Sequence, residues 1–582
     1  MKKIKSLLLM LSTLMLTSCG LTFTKTSSVT TASTTTASTT DSTGETSATT
    51  TETSTTTSGE TSSSEDTSSA AESSATQTTG YYIDDNSIDD TFNYQAINNS
   101  TGVSIVPSTS STTVNLLCLP IEVSDYPFYG ESDDPYEDDD ELKDDLDRVM
   151  NGNGATDTLY WESLASYYKT SSFGSLNLNI TIADVYETGK TASQLYSTTC
   201  DGSSVILQSD KYVQDAFDNY KSENPTVDTK IYDNDSNGYI DGIIAIYSAP
   251  NATSSRSIAE VDPDGELFWA YCHWVNQGVS GNVNNPIPSA YFWASYDFLY
   301  EGPNCKPGGK IDSHTLTHEF GHMMGLDDYY DYDQSKAPAG CCIMMDSNIY
   351  DHDAFSKLAL GWLDPYVVTD TCTITLKPAT TSGECIILPV PNTYNGTAFD
   401  EYILMELFTP DGLNELDCTT AYSNQEIGYN QAGVRLWHVD ARIGCFENSY
   451  SNRKGWYESD AYYATQSTVK SGTSNNKEYY YFVAASNTKA YCTSLVYKKD
   501  KTDTGYELLH LIQASKKTNL CSSVSTAKNS DLFTTGNTFN LADYKAQFPN
   551  KTKMNSGSEL PYSVSFTSVS ATSATISITK TN

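Results

Sequence analysis

His318, Glu319 and His322 stand in the run His314-Thr-Leu-Thr-His-Glu-Phe-Gly-His-Met-Met-Gly-Leu-Asp-Asp-Tyr-Tyr-Asp331, an H-E-x-x-H element with an extension. Residues four apart share one face of an α-helix. Two imidazoles at this spacing can therefore bind one Zn²⁺ while the glutamate beside the first faces a metal-bound water. Gly325, three residues past His322, frees the backbone to leave the helix and turn back toward the metal. Asp328 falls at the tenth position after His318, where a carboxylate can complete three protein ligands and leave the open position that a catalytic zinc needs. The acidic group Asp327, Asp328 and Asp331 also reads as a turn capping the helix exit, or as a Ca²⁺ site. With zinc in place the chemistry is hydrolysis. The ion lowers the pKa of its water from 15.7 to about 7, and Glu319 takes the proton as general base.

Downstream, Gly340-Cys-Cys-Ile-Met-Met-Asp-Ser-Asn348 carries Met344 and Met345. Either they form a turn that passes beneath the metal or they are ordinary core residues. Asp351 to Trp362 reads as an N-capped amphipathic helix ending at Gly361. His352 in its cap region is a structural residue or a further group near the metal, and His273, His438 and His510 read as structural. A second metal site is suggested by Asp233-Asn-Asp-Ser-Asn-Gly-Tyr-Ile-Asp241. Asp233, Asp235, Asn237 and Asp241 take loop positions one, three, five and nine, with Gly238 at six and Tyr239 at seven, like the first part of a Ca²⁺ loop. Position twelve is Ile244 rather than a bidentate glutamate, so an EF-hand helix pair is not expected. The bland alternative is a polar turn before a strand.

Together these segments resemble the immune inhibitor A family of secreted bacterial metallopeptidases. His-Glu-Phe-Gly-His-Met-Met-Gly-Leu-Asp-Asp-Tyr-Tyr-Asp, Ile-Met-Met-Asp and Phe-Ser-Lys-Leu-Ala-Leu-Gly-Trp carry the resemblance. Val114 to Asp125, Tyr167 to Leu176, Asp233 to Asp241 and Gly433 to Asp440 are similar to further family segments, so the likeness spans roughly residues 105 to 450. It implies a zinc endopeptidase with His318, His322 and Asp328 as ligands and Glu319 as base.

At the amino terminus, Lys2, Lys3 and Lys5 precede the apolar run Leu7 to Leu16, and Leu16-Thr-Ser-Cys19 has the spacing of a bacterial lipoprotein cleavage site. The alternative is an ordinary cleaved signal with a chance cysteine. Residues 1–18 are then a signal peptide. Residues 19–80 are a lipidated Cys19 and a Ser/Thr-rich stalk, too poor in apolar side chains to offset its ordering entropy and therefore disordered. An acidic, irregular lead-in is expected over 81–104. Strand-like runs at Val114 to Val123, Leu176 to Val185 and Ile240 to Ile246 predict an α/β (α+β), zincin-like catalytic domain over 105–365. Alternating runs beyond it predict all-β sandwich modules over 366–582.

The net charge of −39 opposes nucleic acid and anionic lipid headgroups as partners. The only membrane attachment expected is the lipid on Cys19, at the surface of a bacterial membrane. Substrates are then extracellular proteins or glycoproteins, and the chain is expected to be a monomer. Thirteen cysteines allow no pairing to be read. An alternative function is an inert adhesin on a peptidase-like fold, using its β-modules and its 41 tyrosines to hold glycans or protein.

Overall fold

A computed structural model describes residues 82–83, 92–101, 105–130, 134–196, 209–276 and 279–446 apart from positions 333, 392 and 424. It also describes 462–464, 479–482, 487 and 506–581. The signal peptide, Cys19 and the Ser/Thr-rich stalk lie outside these residues. The architecture is mixed α/β, with several sheets and few long helices.

The first sheet is built on β1 (Val114–Glu122), β2 (Leu178–Ile182), β3 (Ile243–Tyr247), β4 (Tyr271–Trp274) and β5 (Ala290–Ser295). Its order is β2-β1-β3-β5-β4, parallel except for β4, which runs antiparallel to β5 along the edge. Crossover strands are covered on both faces, which is why β1 and β3 read as nearly unbroken apolar runs. Leu117, Leu119 and Ile121 of β1 face helix α1 (Ser209–Glu223), whose Val213, Ala216, Phe217 and Tyr220 lie in the same apolar core. Leu116 and Cys118 face the opposite way, into the core that holds helix α2 (His314–Met323). β4 and β5 escaped the sequence reading. Their short aromatic runs, Tyr271–Trp274 and Ala290–Ser295, lack the aliphatic stretch that marks β1 and β3.

Beyond residue 363 the chain forms three further sheets, the smallest of them made of Ile443–Phe446, Tyr462–Ala464 and Tyr479–Phe482. Of the two larger ones, one contains β6 (Asp364–Val368), β8 (Glu384–Pro389), β9 (Glu401–Phe408), β10 (Gly433–Asp440) and β11 (Leu509–Leu511). The other pairs β7 (Cys372–Leu376), β14 (Ala574–Lys580), β13 (Tyr562–Val569) and β12 (Thr538–Asn540) in that order. Side chains of a strand alternate between its faces. Ile403, Met405 and Leu407 of β9 therefore pack with Phe539, Val564, Phe566, Ile576 and Ile578 of the outer sheet. Tyr402 and Leu404 point the other way, into the core that holds Met345 and Phe355. The outer sheet shows the alternating burial expected of a sandwich, whereas β9 and β10 are buried at every position. One apolar core thus runs across position 365.

The lead-in expected to be irregular is partly ordered. Tyr82–Ile83 pairs antiparallel with β6, and a helix covers Tyr94–Thr101. Phe92, Tyr94 and Ile97 are fully buried, and both Phe92 and Tyr94 meet Phe399 edge-on. Acidic composition concealed a few aromatic anchors, each large enough to repay the ordering of a short segment. The helix expected near residue 351 spans Ala354–Ala359, and its N-cap is Asp353, which accepts the Phe355 and Ser356 amides. Asp351 is instead paired with the buried Lys357 at 2.6 Å.

Candidate metal centre

Helix α2 carries two stripes. Leu316, Phe320 and Met323 are buried in the core, at the i, i+4, i+7 spacing that lays one helix face on a sheet. His318 and His322 lie on another face, also four apart. Leu316, Phe320 and Met323 have no exposure, whereas His318, Glu319 and His322 retain 5%, 6% and 5%, so the histidine face is the one solvent reaches.

The helix ends at Met324, and Gly325 takes φ +102, a backbone conformation that side chains rarely adopt. A Cβ at this position would lie 3.0 Å from the Tyr94 side chain. The turn brings Asp328 back to the histidines. Asp328 Oδ1 stands 3.0 Å from His318 Nε2 and 3.2 Å from His322 Nε2, and the two Nε2 atoms are 3.1 Å apart. Four tetrahedral ligands at about 2.0–2.1 Å from a zinc ion stand roughly 3.3 Å from one another, so this triangle has the size zinc requires.

The hydrogen bonds on the far sides of the rings sharpen the point. His318 Nδ1 donates to the Met344 carbonyl at 3.0 Å, and His322 Nδ1 donates to the Leu326 carbonyl at 2.8 Å. Neutral imidazoles with Nδ1 protonated carry lone pairs on Nε2. Two such lone pairs and a carboxylate oxygen then converge with no proton among them, an arrangement a cation relieves. Burial pushes the Glu319 carboxyl up, and its Oε2 is buried without a hydrogen-bond partner. An unengaged acceptor beside three converging lone-pair atoms is the placement a general base requires. The residues present fit zinc.

Both expected methionines are fully buried, and the run packs against helix α2. It is the backbone of Met344 that touches the site, through its carbonyl. Met345 packs where the helix has no side chain: a Cβ at Gly321 would lie 2.6 Å from Met345 Sδ. Sequence reasoning missed these carbonyl contacts because main-chain acceptors leave no trace in residue type. His352 stands outside the converging group. It is buried, driven well below its ordinary pKa by burial and by Lys357, with its Nε2 3.3 Å from the Tyr168 hydroxyl. Asp331 caps the following turn, accepting the Ser335 and Lys336 amides. His273, His438 and His510 contact Asp210, Glu401 and Cys521 respectively.

The second expected site is also assembled in part. Asp233, Asp235 and Asp241 each offer an oxygen, all within 4.8 Å of one another. Gly238 has φ +91, and a Cβ there would collide with the Asn282 amide. Burial, and then the charge of Asp235, raises the Asp241 carboxyl well above its usual range. Asn237 receives the Tyr239 amide on its Oδ1 and donates to Asp235. The Tyr239 hydroxyl donates to the Val279 carbonyl. Ile244 is buried inside β3, away from any ligand role. Nine of the described cysteines are free thiols, including the adjacent Cys341 and Cys342.

No model of a known protein family matches the chain, and no curated protein matches it.

Proposed function

We propose that the protein is a zinc-dependent endopeptidase of zincin-like fold, related to the immune inhibitor A family, that hydrolyses peptide bonds of extracellular proteins. The observation that carries this reading is the convergence of His318 Nε2, His322 Nε2 and Asp328 Oδ1 beside the unengaged Glu319 carboxylate. A zinc ion bound there supplies Lewis acidity, which polarises a carbonyl and brings the pKa of a water from 15.7 to about 7. His318, His322 and Asp328 hold the ion. Glu319 accepts the proton of the attacking water and returns it to the leaving amine. The test is digestion of casein by the full chain. Cleavage that stops with a zinc-selective chelator and returns with added zinc is the expected result. Retention of casein or mucin without cleavage would instead favour an inert adhesin.

Calcium in the Asp233–Asp241 loop is proposed to be structural. It would neutralise three clustered carboxylates at the entry to β3, where Asn234 also hydrogen-bonds to Asn115 of β1. Removing calcium with a selective chelator is expected to lower the unfolding temperature by about 2–5 °C, as loss of a native-state ligand does. An unchanged temperature would exclude the role.

Attachment to a bacterial surface through a lipid on Cys19 rests on the signal sequence. No helix among the described residues is long and apolar enough to cross a membrane. Radiolabelled fatty acid should enter the wild type and not Cys19→Ala; equal labelling removes the proposal.

A further inference from the structure

Asp328 offers two carboxylate oxygens, and only one of them faces the histidines. Oδ1 makes both imidazole contacts, whereas Oδ2 accepts a hydrogen bond from the Tyr332 hydroxyl at 2.7 Å. The Tyr332 ring is half-buried and meets Tyr330 edge-on, with centroids 5.2 Å apart. Tyr330 in turn lies nearly parallel to the His318 ring at 6.4 Å. The segment that delivers the carboxylate therefore also delivers the group that holds its second oxygen.

We propose that Tyr332 is a positioning residue that restricts Asp328 to one-oxygen contact with the metal and so keeps the fourth ligand position open. The inference rests on the zinc centre proposed above. A carboxylate beside a divalent cation can bind through one oxygen or through both. Two-oxygen binding by Asp328 would occupy the vertex that a catalytic zinc leaves for water or substrate. A phenolic O–H directed at Oδ2 opposes that rotation and draws charge away from the metal-facing oxygen. His318 and His322 receive corresponding treatment from the Met344 and Leu326 carbonyls. With Tyr332 included, each of the three metal-facing groups is oriented by a hydrogen bond on its far side.

The test is Tyr332→Phe in the full chain, which removes one hydroxyl and keeps the ring packed on Tyr330. Zinc is replaced by Co²⁺, whose visible absorption is strong in four-coordinate sites and weaker in five-coordinate ones. The variant is expected to keep the far-ultraviolet circular dichroism of the wild type and to lose about half or more of its cobalt absorbance. It should also turn over casein about 10–100-fold more slowly, the usual scale for removing an outer hydrogen bond at a metal site, with little change in KM. A cobalt spectrum identical to that of the wild type overturns the inference, whether or not turnover falls. A wild type that binds neither cobalt nor zinc overturns the metal-centre reading itself, a result distinguishable from failure of the tyrosine's role alone.

Discussion

Glu319→Gln is expected to bind zinc as the wild type does and to hydrolyse protein substrates about 10²–10⁴-fold more slowly, the usual share of a positioned acid–base group. The substitution preserves the shape of a side chain that is buried in helix α2. It removes the one property the mechanism needs, a carboxylate able to take a proton. The metal-facing atoms belong to His318, His322 and Asp328, so metal content should be indifferent to the change. The measurement is zinc content by elemental analysis beside the cleavage rate of a peptide library. Near-normal turnover in a variant that retains zinc would remove Glu319 from the chemistry.

Asp328→Ala should lose zinc as well as activity. Two imidazoles alone make an incomplete site, since catalytic zinc uses three protein ligands. Dialysed wild type is expected to retain about one zinc per chain, and Asp328→Ala well below half of that. The neighbouring acids supply an internal control. Asp327 is buried beside the site but outside the converging triangle, and Asp331 is committed to the Ser335 and Lys336 amides. Asp327→Ala should therefore keep its zinc. Loss of zinc from Asp327→Ala, with retention in Asp328→Ala, would exchange their roles.

The centre was largely legible in the sequence because its spacing is local. Residues 318 and 322 share a helix face by geometry alone, and Gly325 marks where the chain must turn. The sequence leaves Asp328 open between ligand and cap, since neighbouring aspartates have the same chemistry and differ only in direction; the turn brings its Oδ1 to both Nε2 atoms. Tyr332 and the carbonyls of Met344 and Leu326 were not legible. Their part in the site depends on which oxygen of Asp328 and which nitrogen of each ring is already engaged.

The fold was read unevenly for a related reason. β7, β13 and β14 alternate because one face meets solvent, and the pattern marks them as sheet. β9 and β10 are covered on both faces, which erases the alternation. From sequence, a sheet that also covers the core around helix α2 looks the same as any apolar strand. The Tyr94–Thr101 helix escaped because its anchors, Phe92, Tyr94 and Ile97, find their partners in residues such as Phe399, hundreds of positions away.

The central claim is that His318 and His322 hold a zinc ion that the hydrolysis of peptide bonds requires. Elemental analysis of the purified full chain and of His318→Ala, each assayed for cleavage in the same preparation, tests it most directly. The account predicts about one zinc per chain with activity in the wild type, and neither in the variant. Equal zinc in both proteins, or peptide cleavage that persists in the variant, would contradict it.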